Sequence, residues 1–564
     1  TRSRLKNIKV LFFLGVNDNC IPKAKGAPGL LTERERERME KEGVTLAPDA
    51  EKESYNEQFY LYLALTKASE QVILTYSVMT SKGESKRPSY LINRVKQVFP
   101  KLVVEKEEMD TSYEKIIGSD KGKSYLISHL ADGTYAKDVI WWEIASHYEK
   151  KTPGILKDLL RIREKRAGNN SLKKEAAKRL FGDVLYGSVT RFEQYVQCPF
   201  AFFAHYGLLL NERQQYEISS LDHGNLFHQA MEHLSHELEQ RNKNWQDLSE
   251  EEAVSLAAEC VDAVAERYQG RKYFQSNRVS FMLKRLKNEV VHSVWAMWHQ
   301  MQEGDFVQTY TEKGFRGNDK EWESMCIPFG EDAKICLNGV IDRVDLCSLP
   351  GEELIKIIDY KSSDSQDLLL AKIYYGLQMQ LLTYLEAAKE MVEKEHKGKE
   401  AVPAAMLYYA IKEKNLDWKP ESEEEYEKRV LDSMKCKGYV NEEPEIIGHL
   451  DKSVVNGGEL IPGQKSGVVP VAVDKKGLLK KNSGTLSTKD FETLIAHTKE
   501  KMKECGKAIL DGKIEAIPYV YEDNDGCTYC PYGSVCGHES KKDGVREMKK
   551  MSDDEVWEAL YGDD

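Results

Sequence analysis

A chain of 564 residues with 41% hydrophobic and 31% charged residues can bury cores under a solvated surface, which excludes disorder throughout and suits two to four domains. No run of eighteen apolar residues occurs, so no membrane span is expected, and a net charge of −12 argues weakly against nucleic acid as a partner because charge acts locally. Eleven cysteines, an odd number in a chain without secretory features, fit poorly with a disulfide framework and suggest a cytosolic protein whose close cysteines bind metal.

The chain opens on Thr1 rather than Met, which suggests a fragment. Residues 1–114 begin with an apolar strand, Val10 to Leu14, ended by Gly15. Thr32 and Glu35 have capping-box spacing, a helix is expected over 56–68, and a strand over 71–76. Together these make an α/β layer. Residues 115–182 read as a helical, basic linker. Its stretch 151–180 holds ten Lys/Arg (Lys151, Arg161, Arg163, Lys173 and Arg179 among them) against Asp158, Glu164 and Glu175, and the simplest reading is a solvated helix. Gly118 to Ser124 resembles a phosphate-binding loop but is one residue short of GxxxxGK[ST], with Ile117 where the first glycine belongs. That reading is rejected.

Residues 183–564 carry the chemistry. Helices are expected around 190–210, 224–240 and 251–300, then two strands, a long helix at 367–394, an apolar strand near 404–411, an acidic helix near 420–435 and a helix near 488–511. The two strands are Gly339–Leu346 (GVIDRVDL) and Leu354–Lys361 (LIKIIDYK), separated by the turn signal Pro350-Gly351. A hairpin centred there pairs positions whose numbers sum to 701, which sets Asp342 opposite Asp359; strand periodicity puts Lys361 on the face of Asp359. That face also carries Ile355 and Ile357, so it points inward. Two adjacent carboxylates there are costly to bury unless a cation joins them, and Mg²⁺, hard and oxygen-seeking, is the expected one. The helix Gly224–Leu238 has an apolar stripe of Phe227, Met231, Leu234 and Leu238, bordered by His228; a lone helical histidine is more often a core residue. Gln380 and Tyr384, four apart on one helical face, are compatible with orienting Lys361 or a substrate.

Cys527, Cys530 and Cys536 lie in CxxC followed by a third cysteine six residues on, an unfinished tetrahedral site. His538 or the distant Cys198 could complete it; the first suits zinc, the second zinc or a [4Fe–4S] cluster. The other cysteines, Cys260, Cys326 and Cys505 included, read as ordinary core or surface residues.

The series GNLFH, GVIDRVD, IIDYKSS and Gln380-Leu-Leu-Thr-Tyr384 resembles the RecB-type branch of the PD-(D/E)xK nucleases. The resemblance implies a central mixed sheet flanked by helices, with Mg²⁺ held by Asp342, Asp359, His228 and the backbone carbonyl of Tyr360. Lys361 would position or help deprotonate the attacking water, with Gln380 and Tyr384 beside it. Cys198-Pro-Phe near the domain's start and CxxCPYxxxC at its end resemble the iron-staple nucleases, in particular the AddB family of bacterial helicase–nuclease subunits. That implies a structural [4Fe–4S] cluster on Cys198, Cys527, Cys530 and Cys536. Leu63 to Ala68 is similar to the last motif of superfamily 1 helicases, but Lys67 stands where those enzymes have arginine, whose fork grips a γ-phosphate in two places. Residues 1–114 are therefore expected to be the end of a degenerate helicase-like module without ATP hydrolysis, its nucleotide-binding loop lying upstream of Thr1. The family further implies a cytoplasmic bacterial exonuclease cutting the 5′-terminated strand of unwound DNA in double-strand-break repair. Its partner would be an AddA-like helicase–nuclease subunit, in a heterodimer. The alternatives are a non-catalytic scaffold that guides DNA and a stand-alone iron–sulfur exonuclease.

Overall fold

The computed structural model describes residues 7–18, 20–21, 38–39, 41–44, 50–79, 85–105, 119–132, 138–166, 171–211, 220–269, 277–316, 322–330, 333–361, 367–411, 422–522, 524–538 and 544–562. The chain forms two compact units, Thr1–Arg163 and Glu164–Asp564.

In the first unit β1 (Ile8–Phe13) pairs in parallel with β2 (Ala68–Leu74), and α1 (Ala50–Leu65) makes the crossover. Phe13, Val16, Leu61 and Ile92, the last on α2 (Tyr90–Val98), close a small core over that layer. This is the strand–helix–strand order the sequence predicts. The capping residues Thr32 and Glu35 lie outside the described residues. Farther on, α3 (Ser119–Asp132) and α4 (Val139–Lys151) pack through Leu126, Trp141 and Tyr148. Ser119 to Ser124 are helical rather than a phosphate-binding loop, and a Cβ on Gly122 would press on the Tyr148 ring at 3.2–3.3 Å. The glycine serves helix packing. The basic stretch divides into α5 (Ile155–Arg166) and α6 (Lys174–Phe181); on α6, Lys178 and Arg179 face solvent while Ala177 is buried.

In the second unit β3 (Val184–Gly187) leads into α7 (Val189–Gln197). The single helix expected over 190–210 is broken at Cys198, whose backbone is extended (φ −161°, ψ 117°), because the following Pro199 excludes a helical residue before it. Helices α8 (Ser220–Gln240), α9 (Glu250–Gln269) and α10 (Asn277–Gln302) follow; the last two replace the one helix expected over 251–300. Next come β4 (Val307–Phe315), β5 (Met325–Pro328), β6 (Lys334–Leu337), β7 (Gly339–Ser348) and β8 (Glu352–Lys361). The long helix expected at 367–394 is two, α11 (Leu370–Tyr374) and α12 (Gln380–Glu395), separated by Gly376 at φ +78°, a left-handed conformation that ends a helix. The chain continues through β9 (Glu400–Ala410), α13 (Glu423–Ser433), β10 (Lys437–Asn441), β11 (Thr485–Leu486) and α14 (Thr488–Leu510).

Six strands form one mixed sheet in the order β11-β10-β9-β8-β7-β4. Strand β8 runs parallel to β9 and antiparallel to β7, with Arg343 opposite Ile358 and Ser348 opposite Glu353, the register in which paired numbers sum to 701. Both faces of this ribbon are covered. Ile341, Val344, Ile355 and Ile357 share a core with residues of α7, α12 and α14, whereas Leu354, Ile358 and Tyr360 share one with α8, α9 and α10. A strand covered on both faces must be almost continuously apolar, as 354–358 is apart from Lys356. A smaller sheet orders β3-β6-β5. There Cys326 and Cys336, directly opposite on β5 and β6, form a disulfide with Cα atoms 4.2 Å apart, which corrects the reading of Cys326 as an ordinary residue. Cross-strand neighbours bring two thiols within bonding reach whatever their separation in sequence.

Candidate active site

Asp342 and Asp359 sit one position beyond the last paired residues of the β7–β8 ribbon, Arg343 and Ile358, where the two strands open. Both are buried, 8% and 2% exposed, and Asp342 Oδ2 accepts the backbone amide of Tyr360 at 2.7 Å. Burial, then the like charge of Asp359, pushes the Asp342 carboxyl up to about 8, against the pull of His228. Burial likewise raises Asp359, opposed by Lys361, whose Nζ lies 2.5 Å from Asp359 Oδ2. Two adjacent buried carboxylates, the charge of Asp359 raising Asp342, make a donor set that fits a hard divalent cation.

His228 projects from α8, its ring against that of Tyr360 with centroids 5.8 Å apart. Its Nδ1 lies 2.9 Å from Glu312 Oε1 and 3.7 Å from Asp342 Oδ1. Burial lowers its pKa, but the Glu312 hydrogen bond and the Asp342 charge outweigh this and raise it. His228, Glu312 and Asp342 offer ligand atoms all within 4.8 Å of one another. They line an open cleft of about 330 Å³ together with Asn225, Gln229 and Glu232. On the other side, Lys361 Nζ donates to Gln380 Oε1 at 3.1 Å, and Gln380 Nε2 donates to the Tyr384 hydroxyl at 3.1 Å. The Tyr408 ring lies under the amine, 5.1 Å from its centroid. His228 and Asp342 thus meet on one side of the opening, and Asp359, Lys361, Gln380 and Tyr384 form a chain of contacts on the other. Asp359 stands outside the three-residue ligand group of His228, Glu312 and Asp342, and Tyr360 joins through its backbone amide. Ser362 and Ser363 of the IIDYKSS motif lie outside the described residues.

Two acids escaped the sequence reading. Glu312 lies on β4, which was not anticipated, beyond a register shift between Gln308 and Tyr310; its φ of +47° is rare for a non-glycine residue and tends to accompany function. No motif marks it. Glu193, on α7, accepts the backbone amides of Met379 and Gln380 at 2.6 and 3.2 Å, and burial pushes its carboxyl up to about 7. The only signal for it is an acid among the apolar residues Phe192, Tyr195 and Val196 of the same helix.

At the C-terminal end of α7, Cys198 is buried with Ala201, Ala204 and Tyr532 and packs against Cys530. The Tyr532 hydroxyl ties this corner, donating to Leu210 O at 3.0 Å and lying 2.8 Å from His205 Nδ1. Burial, then Asp525 and the thiols of Cys198, Cys530 and Cys536, pushes Cys527 up to about 11. Thiols gathered so closely become good ligands once a metal offsets their charge. His538 donates its backbone amide to Cys536 Sγ at 3.4 Å, a contact common around thiolate ligands.

The sequence profile described as the PD-(D/E)XK nuclease superfamily matches residues 187–537. The chain is 35% identical to a protein of Lachnoclostridium phytofermentans over all of this chain and 48% of the relative. It is 32% identical to one of Clostridium perfringens strain 13 and 29% identical to one of Alkaliphilus oremlandii, each over 99% of this chain and 49% of the relative. All three relatives are named as a subunit of an ATP-dependent helicase/deoxyribonuclease. The chain spans about half the length of the curated relatives it matches.

Proposed function

Because this chain belongs to the PD-(D/E)XK nuclease superfamily, we propose that residues 183–564 are the Mg²⁺-dependent deoxyribonuclease of a helicase–nuclease subunit of the AddB type. The observation that carries the reading is the convergence of Asp342, Asp359, His228 and Lys361 where the β7–β8 ribbon opens. The two carboxylates, His228 and the Tyr360 carbonyl would hold the cation, and Glu312 bonds the same His228 Nδ1 that faces Asp342. When bound, Mg²⁺ supplies Lewis acidity at the scissile phosphate and lowers the pKa of an attacking water. Lys361, held between Asp359 and Gln380, orients that water and offsets charge developing on the phosphate. Gln380 fixes the amine and Tyr384 fixes Gln380.

The substrate is one strand of unwound DNA, the 5′-terminated one, cut while an AddA-like heterodimer partner supplies the motor in double-strand-break processing. Residues 1–114 contribute no ATP hydrolysis, since Lys67 cannot fork a γ-phosphate. Cys198, Cys527, Cys530 and Cys536 hold a structural [4Fe–4S] cluster, for which their mutual proximity is the support.

Cleavage of labelled single-stranded DNA by the full-length protein with its partner tests the catalytic reading. Wild type cuts with Mg²⁺ and not with EDTA, and Asp359→Ala loses on the order of a thousandfold. A wild-type complex that leaves the DNA intact under these conditions would make the protein a scaffold.

A further inference from the structure

Helix α12 begins without a cap of its own. Met379 at its N-cap is buried and makes no side-chain bond to the first turn, leaving the first amides to find acceptors elsewhere. The acceptor comes from α7, 187 residues earlier in the chain for the Gln380 amide: one oxygen of Glu193 takes both the Met379 and Gln380 amides. A carboxylate at a helix N-terminus also meets the positive end of the helix dipole. The turn just upstream of α12 also lies against α7, for a Cβ on Gly376 would lie 3.3 Å from Val196. Gln380, the residue so anchored, holds Lys361.

We infer that Glu193 is a positioning residue for the nuclease reaction: by capping α12 from α7 it fixes Gln380, and through Gln380 the amine of Lys361. Because α7 ends at Cys198, the same helix joins the cysteine cluster to the catalytic lysine. The inference rests on the nuclease reading and adds a residue that touches neither substrate nor cation. The capping carboxylate need only present an oxygen, so glutamine can replace it. Aspartate, one methylene shorter, withdraws that oxygen while keeping the charge.

The full-length protein, assembled with its partner, is assayed on single-stranded DNA with Mg²⁺ in wild-type and Gln380→Ala backgrounds. Glu193→Ala and Glu193→Asp lower kcat on the order of tenfold with KM for DNA unchanged, whereas Glu193→Gln stays within about threefold. In the Gln380→Ala background none of the three costs anything further, since the group they act through is gone. Should Glu193→Ala fail to fold, Glu193→Asp decides. Wild-type kcat in Glu193→Asp, an equal loss in both backgrounds, or Glu193→Gln as impaired as Glu193→Ala overturns the assignment. Wild type and Asp359→Ala run alongside separate the two readings: no cleavage by wild type defeats the nuclease, while Asp359-dependent cleavage with an additive cycle defeats only the role of Glu193.

Discussion

At Asp342 a proton and the proposed divalent cation would compete for the same buried carboxylate. Without the cation the group titrates at about 8 in the folded chain, pushed up by burial and by Asp359, whereas an unfolded aspartate titrates near 3.8. The folded state therefore binds this proton more tightly, and the associated stability is fully present below about pH 4 and lost as pH rises towards 8. Asp359 and Glu193, both raised, add the same sign. In EDTA the thermal midpoint is expected to fall between pH 5 and pH 8, and Asp342→Asn to flatten the fall. Mg²⁺ should restore the midpoint of wild type at pH 8 and leave Asp342→Asn unmoved. Differential scanning calorimetry across that range checks it; a wild-type midpoint that rises with pH in EDTA contradicts it.

The β7–β8 ribbon shows what an element adds to its residues. GVIDRVD carries two aspartates three apart, and strand alternation sends them to opposite faces. Asp342 reaches the cleft, whereas Asp345 is fully buried, paired with Arg343 at 2.7 and 3.0 Å and with Lys356 at 2.8 Å. Deleting one partner of a buried ion pair strands the rest, so Asp345→Ala should cost about 3–5 kcal/mol of stability. Asp342→Ala, which relieves a repelled carboxylate, should cost little stability and abolish cleavage. Urea unfolding of both variants tests the contrast, and equal destabilisation would contradict it. The ribbon was legible because Pro350-Gly351 fixes its turn, the sum rule fixes its register, and period two fixes its faces. Glu312 was not, because a register shift in β4 and a positive φ cancel the periodicity that sequence patterns rely on. The splitting of the helix at 367–394 was hidden in the same way: apolar spacing runs through Gly376, and only its left-handed backbone marks the break.

At the scale of the whole molecule, the proposed cluster would close a loop of more than 300 residues, from Cys198 to Cys527. Tying its ends removes chain entropy from the unfolded state and binds cluster formation to folding. Anaerobically purified protein should be brown with broad absorption near ~400 nm, and Cys530→Ser should be colourless and melt roughly 5 °C lower or more. Colourless wild type containing zinc contradicts the cluster. Spacing alone left zinc and iron–sulfur equally open, since both accept thiolates; the site side chains, by contrast, were named from four short motifs that the fold draws together from α8, β7, β8 and α12. The proposed cation would sit where these elements meet. Anomalous diffraction from crystals of the protein grown with Mn²⁺ in place of Mg²⁺ locates it directly. The account predicts a peak within coordination distance of both the Asp342 and Asp359 carboxylates and of His228; a peak elsewhere, or none between those two acids at saturating Mn²⁺, contradicts it.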